Sequence, residues 1–356
     1  MVTITDKVNN YYKAQGMQDS LRATNWNKED EMLANMYWKQ GLEQMWVPEE
    51  FDISKDLGSW KSLSEEQQST YTRVLAGLTG LDTKQGGEGM PLIAYHEPRE
   101  LFQSTYMFMG MMEEIHAKSY SYIFTTLLSK KQTNYLLDTW VEENEYLTTK
   151  AKYIGYYYKQ LLQPKPSVYD RYMAKVASAF LESALFYSGF YYPLYLAGKG
   201  IMVESGSIIR KITEDEAYHG VAVGITAQYD YELLTEAEKK QADKEVYELL
   251  DILHKNEVEY THSLYDKLEL SEDVINYVEY NFNRALSNLG RDDYFNPKPF
   301  NAIVENQTNL DAINNTDFFS VKVTDYGMSL NIVGLRDTDF NFEHSKQSKV
   351  VDEFLN

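Results

Sequence analysis

Six histidines, His96, His116, His219, His254, His262 and His344, are the scarcest potential ligands in a chain that has no cysteine. Three of them close a Glu-x-x-His: Glu113–His116, Glu216–His219 and Glu259–His262. Residues three apart on a helix share a face, so each pair can offer a carboxylate and an imidazole to one ion. A single such pair in an acidic helical chain is ordinarily a solvated ion pair that contributes little. Their surroundings separate the three. Asp82, in LAGLTGLDTKQ, lies one helix upstream of Glu113, and Glu182, in VASAFLESALFYSGF, lies one helix upstream of Glu216 at nearly the same spacing. Both carboxylates stand among apolar residues, where an unpaired charge is costly. The corresponding positions before Glu259, Ile225 to Gln228, hold no carboxylate, and Glu259–His262 sits in the charged run KNEVEYTHSLYDK. That third pair reads as a solvated face.

The candidate donor set is therefore Asp82, Glu113, His116, Glu182, Glu216 and His219. Glu-x-x-His from each of two helices, with a carboxylate from each of two others, is how a dimetal site is built inside a ferritin-like four-helix bundle. Four carboxylates balance two divalent ions, and oxygen-rich donors with one imidazole per ion suit iron or manganese. Tyr120 follows His116 by one helical turn and so lies on the same face. Phe186 and Phe190 continue the face of Glu182, and Ile212 precedes Glu216 by a turn; all three are expected to line the same interior. As core residues they also simply pack. An apolar pocket around a tyrosine would let an oxidised phenoxyl persist by excluding water and reductants.

Helices must position these groups, and the eight prolines help mark them. Pro48, Pro91, Pro98, Pro164, Pro166, Pro193, Pro297 and Pro299 separate or end long proline-free stretches. Period and composition predict helices over 28–44, 64–86, 99–130, 132–162, 167–190, 203–231, 236–267 and 271–289. Gly86-Gly87-Glu88-Gly89 and Gly198-Lys199-Gly200 read as loops. No sustained alternation of period two occurs, so the expectation is an all-α bundle over 1–290. The Asn-, Asp- and Pro-rich stretch over 291–356 reads as an irregular, partly flexible tail.

Composition sets outer limits. With 43% hydrophobic residues the chain can bury a large core. The absence of cysteine excludes disulfides, thiolate sites and thiol catalysis. A net charge of −20 argues against a nucleic-acid surface. No signal peptide or membrane-length apolar run is evident, which fits a cytoplasmic protein. Most of the thirty tyrosines are expected to pack at helix interfaces.

The segments LTGLDTKQ, MMEEIHAKSYSYIF, FLESALFYSGFYYPLY and DEAYHG resemble the class I ribonucleotide reductase small subunit, most of all its class Ib branch. The resemblance runs from about Trp26 to Phe342. It implies a first metal on Asp82, Glu113 and His116 and a second on Glu182, Glu216 and His219, with Glu113 and Glu216 either shared or mobile. It makes Tyr120 the radical residue and Trp46, in QMWVPEE, the tryptophan of the radical-transfer route. Asp215 would hydrogen-bond a ligand histidine and couple it to Trp46, and Tyr326 would be a relay tyrosine in the tail. DTDFNF, with Phe340 and Phe342, resembles the acidic-aromatic ending that docks on the large catalytic subunit. The resemblance further implies a homodimer, iron or manganese as cofactor, and a flavodoxin-like activator where manganese is used.

Two features depart from the family pattern. Glu214 stands where many relatives have arginine before the Asp-Glu pair, and fourteen residues, EHSKQSKVVDEFLN, follow Phe342. Other readings of the same residues are a dimetal oxygenase or oxidase on this fold, an iron store, and a structural bundle. An oxygenase would need a substrate channel but neither Trp46 nor a docking tail, and metal binding would separate out the structural bundle.

Overall fold

The computed structural model describes residues 2–15, 21 and 23–308, and among them there is helix, turn and irregular chain but no strand. The all-α expectation therefore holds for the described residues. The Asp82 helix, Glu65–Lys84, starts at a capping box: the Ser64 hydroxyl accepts from Gln67 N, and the Gln67 side chain accepts from Ser64 N at 2.9 Å. The Glu113 helix spans Glu100–Leu127 and the Glu216 helix Val203–Glu232. The latter begins under a remote cap. Asp56 accepts from Glu204 N at 3.1 Å and from Ser205 N at 2.7 Å, satisfying donors that the first turn leaves open.

Glu182 lies between Val168–Phe180 and Tyr187–Gly198, in a π-helical turn over Leu181–Leu185. Every residue from Tyr172 to Leu194 is buried. This segment is the central helix of the molecule, apolar all round because it is surrounded. The Glu216 helix packs along it, and the Asp82 helix packs on both it and the Glu113 helix. Four helical segments thus bring one acidic side chain each toward a common interior. None of the described helices is long and apolar enough to cross a membrane.

The structure corrects several local expectations. Gly86-Gly87-Glu88-Gly89 is not a loop: the chain stays helical through a π turn, Gln85–Gly89, into Met90–His96. Glycine is needed there for close approach, since a Cβ on Gly86 would stand 3.0 Å from the Glu113 Cβ. Pro193 lies inside Tyr187–Gly198, not at its end, where it cannot donate to the Gly189 carbonyl. The helix expected over 132–162 breaks at Asn144, whose Oδ1 accepts from Tyr146 N and Leu147 N and starts Glu145–Gln160. An unexpected helix covers Ile4–Gln15. Residues 291–301 are irregular, and a short helix, Ala302–Thr308, follows with Val304 fully buried. Tyr326, Phe340 and Phe342 lie outside the described residues.

Candidate metal centre

All six predicted donors converge, and none is more than 1% exposed. They form two clusters, Asp82–Glu113–His116–Glu216 and Glu113–Glu182–Glu216–His219, each with donor atoms within 4.8 Å of one another. Glu113 and Glu216 belong to both. The carboxylate geometry explains how. Glu216 directs Oε1 to His116 Nδ1 at 3.0 Å and Oε2 to His219 Nδ1 at 3.4 Å. Glu113 reaches His219 Nδ1 with Oε1 at 2.8 Å and His116 Nδ1 with Oε2 at 3.8 Å. Asp82 approaches only His116, at 3.4 Å, and Glu182 only His219, at 3.6 Å. Two carboxylates thus span the cluster while one closes each end.

Buried polar atoms are ordinarily hydrogen-bonded. Here both oxygens of Asp82, Glu113 and Glu216, Oε2 of Glu182, and Nδ1 of both histidines have no such partner. Four carboxylates without water or cation would repel one another at great cost. Burial drives the Asp82 and Glu182 carboxyls well above their ordinary range, and the neighbouring carboxylates add to the effect. Burial would lower His116, but Asp215, Asp82, Glu113 and Glu216 outweigh it and hold the imidazole well above its usual value. His219 behaves alike, through Glu113, Glu182 and Glu216. Protons do here what cations do better. The donor set fits two hard divalent ions, iron or manganese, and thiolate-seeking ions find nothing to hold them.

A hydrogen-bonded line leaves the centre through the first histidine. His116 Nε2 lies 3.1 Å from Asp215 Oδ2, and Trp46 Nε1 donates to that same oxygen at 2.7 Å. The Trp46 and His116 rings lie 6.0 Å apart and are nearly parallel, at 18°. With its proton on Nε2, His116 presents Nδ1 to the centre, the orientation that a carboxylate partner fixes in metal-bound imidazoles.

Tyr120 is fully buried and its hydroxyl has no hydrogen-bond partner. Burial raises its phenol well above the ordinary value, and Asp82, Glu216 and Glu113 raise it further, so it stands within the field of the centre. Phe186, Phe190 and Ile212 are completely buried, the two phenylalanine rings 5.9 Å apart. Glu259 and His262 are exposed, and His262 pairs with Asp266 at 2.8 Å, away from the cluster. Glu214 pairs with Lys211 at 2.9 Å.

Gln85 escaped the sequence reading. Its Nε2 donates to Glu182 and to Ser178 Oγ at 2.8 Å, and its Oε1 accepts from Tyr158 at 2.5 Å. It therefore orients the terminal carboxylate of the second cluster. Its position three residues after Asp82, on the same helical face, was the available signal.

Comparison with known proteins agrees with this geometry. The family model described as ribonucleotide reductase, small chain, matches residues 23–302. The ribonucleoside-diphosphate reductase subunit beta of Bacillus subtilis is 44% identical over 91% of this chain and 98% of its own length. The protein of the same description from Bacillus phage SPbeta is 43% identical over 90% of this chain and 96% of its own. Among solved structures, the dimanganese(II)-NrdF of Streptococcus sanguinis superposes with a TM-score of 0.76 at 34% identity, covering 81% of this chain and all of the other. These similarities do not favour the oxygenase reading. Donor set, helical frame and relatives agree: this chain belongs to the ribonucleotide reductase small chain family, as a class I small subunit most like class Ib.

Proposed function

We propose that the chain generates a radical on Tyr120 and passes it through Trp46 to a large catalytic subunit, which reduces ribonucleoside diphosphates. The observation that carries this reading is the Trp46–Asp215–His116 line, which couples the carboxylate cluster to a buried indole. A buried ion site with no redox exit would not need it. When bound, the two ions, iron or manganese, would supply the one-electron oxidant.

The protein's own groups do the rest. Tyr120 gives up an electron and its phenolic proton toward the centre, whose carboxylates Asp82, Glu216 and Glu113 act on its phenol. Complete burial of Tyr120 keeps water and reductants from the oxidised ring. Phe186, Phe190 and Ile212 offer no proton and no oxidisable hydroxyl, so they form the inert wall. Asp215 accepts from both Trp46 Nε1 and His116 Nε2 at one oxygen, so in this reading it receives the indole proton as Trp46 gives up an electron. Tyr326 would continue the route in the tail, and DTDFNF would dock there.

The remaining assignments follow the family: a homodimer, a flavodoxin-like activator if manganese is used, and a cytoplasmic setting. The subunit alone would turn over no substrate. The test is reconstitution of metal-free protein with iron(II) and oxygen, followed by electron paramagnetic resonance. A sharp, persistent tyrosyl signal is expected in the parent and no persistent signal in Tyr120→Phe. A parent with iron bound and no tyrosyl signal would overturn the reading.

A further inference from the structure

A second line of aromatic rings leaves the carboxylate cluster. Tyr187 follows Glu182 by little more than a turn and is fully buried, and the charges of Glu216 and Glu182 reach its phenol after the larger effects of burial and Arg284. Its ring centroid is 5.7 Å from that of Tyr277, Tyr277 is 5.9 Å from Tyr191, and Tyr191 is 5.9 Å from Tyr195. Tyr195 is half-buried, and the Lys199 ammonium sits 3.9 Å over its ring. The rings thus run without a break from Tyr187, five residues after Glu182 of the second cluster, to the half-buried Tyr195.

Packing alone would account for rings in contact, so the hydroxyls decide. Tyr277 has no hydrogen-bond partner. Tyr187 is approached only by Arg284 Nη1, a donor, at 3.4 Å. Neither has a base to take its proton. Tyr191 donates to the carboxylate of Asp273, whose Oδ2 also accepts from Asn301 N at 3.1 Å. A phenol hydrogen-bonded to a carboxylate loses its electron more easily than its neighbours, because the proton has somewhere to go in the same event. Tyr191 is therefore the natural resting point for an oxidising equivalent on this line.

We propose that Tyr187, Tyr277, Tyr191 and Tyr195 form a discharge line, which carries an oxidising equivalent from the dimetal site to the surface when Tyr120 does not supply the electron. The inference rests on the function proposed above. In balance, Tyr191 gives one electron, by way of Tyr277 and Tyr187, to the one-electron oxidant at the site, and its phenolic proton to Asp273. A neutral tyrosyl and a protonated Asp273 result. A thiol in solution then returns one electron through Tyr195, releasing its own proton to water and leaving a thiyl radical that pairs as disulfide. Asp273 gives its proton back to Tyr191. The line protects the buried donors from the oxidant they hold.

The test uses the full chain in four forms: parent, Tyr120→Phe, Tyr120→Phe with Tyr191→Phe, and Tyr120→Phe with Asp273→Asn. Each is loaded with iron(II), exposed to oxygen, freeze-quenched for electron paramagnetic resonance, and digested for mass mapping of oxidised residues. The expected result is a transient tyrosyl signal in Tyr120→Phe with oxidation at Tyr191 or Tyr195. Both double variants lose that signal, and oxidation moves into the segment around Glu182 to Phe190. Asp273→Asn keeps every ring, so its effect does not depend on repacking a tyrosine. Double variants identical to Tyr120→Phe in signal and map would sink the discharge line while the parent radical stands. A parent without any tyrosyl radical would instead sink the functional reading beneath it.

Discussion

At Asp215 one carboxylate oxygen serves two donors, Trp46 Nε1 and His116 Nε2. Removing the acceptor leaves two buried N–H groups unpaired, which costs about 1–3 kcal/mol for each group. Asp215→Asn keeps the shape and an accepting oxygen but removes the negative charge, so the side chain can no longer take up the indole proton. The expected outcome is a Tyr120 signal of nearly parental size with loss of turnover in the presence of the large subunit. Equal loss of radical and turnover would mean that Asp215 acts on the centre and not on the exit. Gln85 sits at the other end of the cluster, where it fixes Glu182. Partners that orient a ligand typically contribute about 10–100-fold in metal affinity. Gln85→Leu is expected to weaken one of the two ions by that order and leave the other unchanged, as read by titration with manganese(II). These two residues differ in kind: one shapes where charge leaves, the other how firmly an ion is held.

Between elements runs a buried ionic network. Lys175, buried on the central helix, lies 2.7 Å from both Glu97 and Asp230, while Arg99 holds Glu97 at 2.5 Å and Arg171 holds Asp230 at 3.1 Å. This network joins the loop before the Glu113 helix to the Glu216 helix. Burial alone would raise the Glu97 carboxyl, but Lys175 and Arg99 outweigh it and hold it below its ordinary value. A depressed carboxylate stabilises the fold above its unfolded value, about 4.3, and that stabilisation is lost as pH falls through the lower folded value. The parent should therefore lose denaturant resistance on acidification below that range. Lys175→Met, which leaves two buried carboxylates short of a cation, should lose about 3–5 kcal/mol at neutral pH. A urea midpoint unchanged in Lys175→Met would refute this. Such ties explain what the sequence could and could not convey about the elements. Glu113–His116 and Glu216–His219 were legible because a three-residue spacing on one helix is local. Asp82 and Glu182 were legible because a carboxylate in an apolar run stands out. The π turns at Gln85–Gly89 and Leu181–Leu185 were not, because their hydrogen bonding answers to neighbouring helices and not to local propensity. Gly86 looked like a loop residue by type, yet it is glycine because the Glu113 helix comes so near. The break at Asn144 was missed because the run around it carries no proline or glycine.

Across the whole molecule the six donors are spread from Asp82 to His219 and meet only when four helical segments have packed. The unfolded chain offers no such site, so metal binding and folding are linked. An ion free at a hundred times its dissociation constant stabilises the folded state by about 2.7 kcal/mol. With an unfolding entropy of about 2.1 cal/mol/K per residue, a chain of this length should gain roughly 4 °C in Tm per ion, and lose it again to a chelator. The same spatial argument separates the centre from the tail. Every donor, Tyr120, Asp215 and Trp46 precede residue 220, and the last described helix, Ala302–Thr308, closes against the core through Val304. Truncation after Thr308 should leave the metal-dependent rise in Tm and the Tyr120 radical intact while abolishing turnover with the large subunit. Truncation after Phe342 places DTDFNF at a free C-terminus. If docking needs that free end, this variant should bind the large subunit more tightly than the full chain; if EHSKQSKVVDEFLN itself contributes contacts, it should bind more weakly. Measuring both truncations against the parent, with radical content fixed by electron paramagnetic resonance, assigns any loss of turnover to docking and not to the centre.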